Sequence, residues 1–185
     1  MKRHPALVSL SRDHYNVLYL SLRLRRATDD TSEEIARELL EQWSTEEAHL
    51  RREEEILLPA CADHPQALGS DIAQVLHDHE LIRQMVADIS EHASPNAVRG
   101  LGIKLADHVR YEERIVFPHI ETTLPDADLH ELGVLLREDR DADRTRRPPP
   151  SPPQPSNESS YVMPGSVSDP KVPEYLDEAP DVTEP

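Results

Sequence analysis

Two segments of this chain share the same chemistry-bearing residues at the same spacing. The first reads HLRREEEILLPA and starts at His49; the second, HVRYEERIVFPH, starts 59 residues later at His108. In both, a glutamate follows the histidine by four residues, which places the pair on one face of a helix. Imidazole nitrogens and carboxylate oxygens together are ligands for hard-to-borderline divalent cations. The repeat therefore indicates a metal site that is built twice.

One more histidine in each half completes the pattern. His14 and His79 each interrupt a seam of apolar residues that recurs at heptad-like spacing. Each half is then a helix with one inward histidine, followed by a helix with an inward His-x-x-x-Glu. The candidate metal ligands are His14, His49, Glu53, His79, His108 and Glu112. Burying six polar groups is costly unless each is paired. Two buried histidine–carboxylate salt bridges would offset part of that cost, and two cations bridged by the carboxylates would offset it too.

Four long helices are predicted to carry these residues. They cover residues 5–27, 31–58, 70 or 71 to 91, and 94–120, and a shorter fifth helix at 126–138 caps one end. Thr31 is expected to form a capping box with Glu34, and Ser94 to cap the fourth helix with Pro95 in its first position. The short connections predict an all-α, up-down-up-down four-helix bundle.

Composition excludes several classes of protein. The chain has 185 residues and a formal net charge of -16, which argues against nucleic acid and anionic membranes as partners. The single cysteine, Cys61, rules out an internal disulfide and a cysteine-rich metal site. No apolar stretch is long enough to span a bilayer. Arg12 and Asp13 come too early for a signal peptide, so we expect a cytoplasmic protein.

The composition changes near Thr145. The segment from there to the C-terminus holds 11 of the 17 prolines and has almost no periodic apolar pattern. We therefore predict a bundle domain over residues 1–144 and a disordered, proline-rich acidic tail over residues 145–185. The prolines between 148 and 153 could dock into the aromatic groove of a protein partner; the alternative is a solvated tail.

At these residues the sequence resembles the hemerythrin-like family, the HHE cation-binding domains. The resemblance covers about residues 4–124, and its most specific pieces are HLRREEEILLP and HVRYEERIVFP. It implies a non-haem centre of two iron ions, with Glu53 and Glu112 as bridges and the four histidines above as the remaining ligands. Members of the family bind dioxygen reversibly or sense oxygen, iron or redox state.

The chain departs from the classical oxygen carriers at two places. Those proteins have two histidines four residues apart on the third helix, whereas Val75 and Arg83 flank His79 here. They also have His-x-x-x-x-Asp on the fourth helix, where this chain offers Glu112 at four residues and Glu113 at five. One iron is then short of a ligand by the classical count. The residues that could complete its coordination are Glu46, His4 and His119.

Ferritin-like bundles are the competing metal-binding fold. They use Glu-x-x-His from two helices and a lone glutamate from each of the others. Glu46 and His49 match that motif, but the position equivalent to Glu46 in the other half is Leu105. The hemerythrin-like resemblance is therefore preferred, and it implies a di-iron protein that binds or senses dioxygen, nitric oxide or peroxide at an open iron position. The alternatives are a di-iron oxidase or peroxidase-type enzyme and an iron-responsive regulatory module.

Overall fold

The computed structural model describes residues 3–146, and every regular element among them is helical. The helices are α1, Val8–Leu24; α2, which joins Ser32–Arg52, a π-helical turn at Glu53–Leu57, and Leu58–Ala60; α3, Pro65–Glu91; α4, which joins Pro95–Tyr111, a π-helical turn at Glu112–Val116, and Phe117–Thr123; and α5, Asp126–Arg146. Helices α1 and α3 each contact both α2 and α4. The predicted all-α four-helix bundle is confirmed. Within the described range, no helix combines the length and the hydropathy that a membrane span requires.

Several helix ends differ from the prediction. Helix α3 begins at Pro65, where the missing proline N–H costs nothing because a first-turn N–H has no partner within the helix. The Thr31 capping box is wrong: its hydroxyl oxygen accepts the backbone N–H of Thr28 at 2.9 Å instead. The Ser94 cap is confirmed, with its hydroxyl accepting the N–H of Ala97. Helix α5 continues through residues 145 and 146; residues 147–185, most of the predicted tail, lie outside the described part.

A polar layer divides the apolar core into two clusters. One cluster contains Leu7, Leu10 and Phe117 together with the inner face of α5, and the other contains Val17, Ile82 and Leu105. The first histidine and the His-x-x-x-Glu pair of each half lie between these clusters along their helices. The bundle thus encloses its polar residues between two apolar ends that exclude water.

Both π-helical turns start at the repeated glutamate and end two residues before the repeated proline. The N–H of Leu58 donates to the carbonyl of Glu53, five residues back, and Phe117 donates to Glu112 in the same way. The next residue in each helix is a proline, which has no N–H and whose ring would collide with the carbonyl four residues earlier in a regular α-helix. We attribute the wider turn to this conflict.

A π-helical turn holds an extra residue, so it moves the inward seam by one position. The heptad spacing predicts Ile56 and Ile115 on that seam. Leu57 and Val116 are the fully buried residues instead, and Ile115 is 47% exposed. The seam prediction was therefore wrong at Ile115 and only partly right at Ile56, which is half-buried and packs against an apolar cluster. In α2 it also failed before Glu53, where the predicted seam residue Gln42 is exposed and Glu46 is half-buried.

Candidate metal centre

Six buried polar side chains form the layer between the two apolar clusters. They are the six predicted residues: His14, His49, Glu53, His79, His108 and Glu112. Glu53, His79 and Glu112 are fully inaccessible to solvent. Four different helices therefore bring together all six of the candidate ligands named above.

The layer contains two groups of four side chains that share both glutamates. His14 and His49 belong to one group, His79 and His108 to the other, and within each group the candidate ligand atoms lie within 4.8 Å of one another. Glu53 turns one oxygen to each side: its Oε1 is 3.4 Å from Nε2 of His49, and its Oε2 is 3.3 Å from Nε2 of His79. A carboxylate in this position can bridge two cations.

The inward atoms of the layer lack hydrogen-bond partners. The Nε2 atoms of the four histidines and all four oxygens of Glu53 and Glu112 are buried, and none makes a hydrogen bond of acceptable geometry with a described residue. The closest approach, 3.1 Å between His14 and Glu112, is a charge contact only. An unsatisfied buried polar atom costs about 1–3 kcal/mol. Eight such atoms in one layer are explained by cation binding, whereas buried salt bridges alone leave them unsatisfied.

The comparison with known protein families agrees with this geometry. The model of the family described as the hemerythrin HHE cation binding domain matches residues 6–120. The chain belongs to that family. No curated protein and no solved structure matched the chain. The matched span covers α1, α2, α3 and α4 as far as residue 120, and the His/Glu groups within it are compatible with metal binding.

In this hemerythrin HHE domain, a second glutamate in each half lies behind a histidine of the other half. Nδ1 of His14 is 2.7 Å from Glu113, and Nδ1 of His79 is 2.8 Å from Glu54. An ionised carboxylate only accepts, so Nδ1 carries a proton, and the neutral form of each ring would present the lone pair of Nε2 to the layer. The Glu-Glu doublets thus divide their roles: the first residue enters the layer and the second orients a histidine. On the fourth helix the inward carboxylate is therefore Glu112, four residues after His108. The classical oxygen carriers instead use the residue five positions after the histidine.

Two aspartates occupy the matching positions behind the remaining histidines of the HHE domain. Asp13 lies 3.9 Å from Nδ1 of His49, and Asp78 lies 3.6 Å from Nδ1 of His108. Both distances are in ion-pair range and longer than a direct hydrogen bond. Sequence reasoning missed all four outer carboxylates. The sequence did contain a signal. In α1 and α3 an aspartate comes directly before the inward histidine, and in α2 and α4 a second glutamate comes directly after the inward one.

Each outer glutamate is held in turn by an arginine. Arg3 donates to Glu113 over 2.7 Å, and Arg83 donates to Glu54 over 2.7 Å. Burial by itself would raise the pKa of Glu113, but its contacts with His14, Ser11 and Arg3 outweigh it and lower the pKa to about 2. The carboxylate behind His14 is therefore ionised over the whole physiological range.

Without a cation, the layer balances its own charges with protons. Burial would raise the pKa of Glu53, yet the charge of His49 and the contacts of His14 and His79 hold it well below its usual range. Burial would lower the pKa of His14, yet the carboxylates of Glu112 and its neighbours hold it well above its usual range. Cations that bind here must displace these protons, so their affinity should rise with pH.

None of the three extra candidates lies in either His/Glu group of the described residues. His4 is 3.4 Å from Asp126 at the end of the bundle, and His119 is half-exposed and 2.7 Å from Asp71. Glu46 is half-buried and lines a groove between α1 and α2. Glu46 and His49 were the residues that matched the ferritin-like Glu-x-x-His motif. Because Glu46 does not lie in the layer with His49, the structure does not support that alternative. Each group therefore offers four protein side chains.

Proposed function

We propose that this HHE domain binds two iron ions and takes up a small ligand such as dioxygen, nitric oxide or peroxide. His14 and His49 would hold one ion, His79 and His108 the other, and Glu53 and Glu112 would bridge them. The observation that carries the proposal is the set of eight inward nitrogen and oxygen atoms without hydrogen-bond partners. Two cations in the shared-glutamate arrangement would satisfy all eight.

The donor set supports iron over a structural zinc. Imidazole suits iron and zinc alike, but a pair of bridging carboxylates with no thiolate is unlike a closed zinc site. The one cysteine, Cys61, lies in an apolar cluster, where burial raises its pKa to about 11. Its Sγ donates to the carbonyl of Leu57, one turn back in α2. It does not belong to either His/Glu group.

The number of donors supports a ligand-binding role. Each group supplies two imidazoles and shares two carboxylates, which is fewer than the roughly six positions of octahedral iron. When bound, a non-haem iron pair supplies open coordination positions and one-electron redox chemistry. The side chains shape what can enter: Phe117 stacks on the ring of His14, with ring centroids 5.4 Å apart and planes 14° from parallel. Packed apolar clusters on both sides favour a ligand of a few atoms over an organic substrate.

Metal analysis of variants tests the proposal. Protein purified anaerobically after expression in iron-rich medium should contain about two irons per chain. His49→Ala and His108→Ala should each lose roughly one, and Glu53→Ala, which removes a bridge, should lose both. His77→Ala is the matched control, because His77 lies on the exposed face of α3 and should retain both.

Zinc alone, no metal, or full iron occupancy in His49→Ala would overturn the proposal. Addition of dioxygen or nitric oxide to the reduced iron-loaded protein should change its visible spectrum in a stoichiometric way. Steady consumption of peroxide with a reductant would instead identify an oxidase or peroxidase-type enzyme.

A further inference from the structure

The two halves of the bundle differ in what holds the aspartate behind the ligand histidine. Asp78, behind His108, is held from within the bundle: Lys104 of α4 forms a close ion pair with it, and Gln74 of α3 donates to it over 2.8 Å. Asp13, behind His49, is held partly from outside the bundle. Arg140 of α5 donates to its Oδ1 over 2.9 Å, and Arg52 of α2 is 3.4 Å from its Oδ2.

Arg52 itself is tied to α5. It is only 5% exposed, and it donates to Asp139 over 3.0 Å and to Asp143 over 3.1 Å. The equivalent residue in the second half is Tyr111, which has no positive charge. Helix α5 also has no counterpart in the internal repeat. The support of Asp13 is thus a set of ion pairs that the second half lacks.

Ion pairs of this kind fix the position of a carboxylate well. A guanidinium presents its donors in a rigid planar fork, and Asp13 receives two of them from different helices. Burial by itself would raise the pKa of Asp13, but its neighbours His49, Arg140 and Arg52 lower it, so it stays ionised. An ionised, immobilised carboxylate 3.9 Å from Nδ1 of His49 attracts a proton to that nitrogen by charge and so favours the ring form whose Nε2 faces the layer.

We infer that α5 is a positioning element for one of the two metal groups: through Arg140 and Arg52 it holds Asp13, which orients His49. Metal binding by the His14/His49 group then depends on α5, whereas binding by the His79/His108 group does not. This inference rests on the proposed function, because it assumes that both groups bind a cation.

A titration with Co²⁺ in single-group variants tests the inference. His108→Ala leaves the group that contains His49 intact, and His49→Ala leaves the other. Adding Arg140→Met should weaken Co²⁺ binding about tenfold in the His108→Ala background and less than about twofold in the His49→Ala background. Lys104→Met should show the reverse pattern. Arg140→Lys, which keeps the charge, should recover most of the loss and restore the visible spectrum of the bound Co²⁺.

Each other outcome has a separate meaning. An equal loss in both backgrounds would overturn the inference, because it would indicate general destabilisation of the bundle. No loss in either background would overturn it as well. If the unmodified protein bound no Co²⁺ and no iron, the proposed function would fail, and the inference that rests on it would fail with it. Circular dichroism of the metal-free proteins checks folding, and if Arg140→Met does not fold, Asp143→Asn interrupts the same connection through Arg52.

Discussion

Glu113→Gln is the substitution whose effect the structure defines best. It keeps the size of the side chain and removes the charge that faces His14 and Arg3. In the folded protein the pKa of Glu113 is about 2, against an ordinary value of 4.5. Each pKa unit corresponds to about 1.4 kcal/mol, so the ionised carboxylate contributes at most about 3.5 kcal/mol to the free energy of unfolding. The side chain retains 28% exposure, and screening by water reduces the expected contribution to about 1–2 kcal/mol.

The direction of the pH dependence follows from the lowered pKa. A carboxyl group that is more acidic when folded stabilises the protein above its unfolded pKa, and this stabilisation is lost as the pH falls from about 4.5 towards 2. In metal-free protein, Glu113→Gln should therefore be less stable than the unmodified chain at pH 7. The difference should shrink steadily below pH 4.5.

Urea unfolding in the presence of a chelator, followed by circular dichroism at a series of pH values, measures this difference. Glu55→Gln is the matched control, because Glu55 is exposed and forms a surface ion pair with Arg51. It should change the free energy of unfolding by less than about 0.5 kcal/mol at any pH. A stability difference for Glu113→Gln that stays constant from pH 7 to the lowest pH at which both proteins fold would refute the electrostatic reasoning. With metal present, the same substitution should also weaken cation binding about tenfold.

Three further substitutions or treatments test other parts of the structure. Gly102→Ala should destabilise the bundle by about 1–3 kcal/mol in urea unfolding, because an added Cβ would lie 2.8 Å from an atom of α1. Gly69→Ala is the control: its Cβ would meet open space, so the substitution should be neutral or slightly stabilising. Cys61, fully buried and with its pKa raised to about 11, should react with a thiol reagent only after unfolding, and prompt reaction in native buffer would contradict its burial. Glu46→Leu, which copies Leu105 of the other half, should retain full metal occupancy and an unchanged spectrum; a loss of metal would place Glu46 in the coordination sphere.

The sequence predicted the bundle and its polar layer because both follow from short-range periodicity. Side chains three and four residues apart share a helix face, so the inward positions of α1 and α3 could be counted along the chain. The internal repeat then separated His14 and His79 from the remaining histidines, and the structure places both in the layer. That these six residues bind metal stays a prediction.

One source of error in the periodicity lies at the repeated prolines. A heptad count assumes a regular α-helix, and Pro59 and Pro118 each force a wider turn that moves the seam by one residue. Both prolines are visible in the sequence. The sequence does not show, however, how far each of them shifts the inward seam. Only the backbone of the folded chain decides whether a helix meets a proline with a kink, an end or a π-helical turn.

The sequence by itself determined which side chains each helix turns inward, because that depends on residues a few positions apart. Only the tertiary structure decided which outer carboxylate lies behind which histidine. Glu54 reaches His79 and Glu113 reaches His14, each from the opposite half, so these pairings depend on how the four helices are arranged in space. The same holds for α5, whose ion pairs with Asp13 and Arg52 join residues about 90 to 130 positions apart. Such contacts carry no local periodicity, and they exist only once packing has brought the helices together.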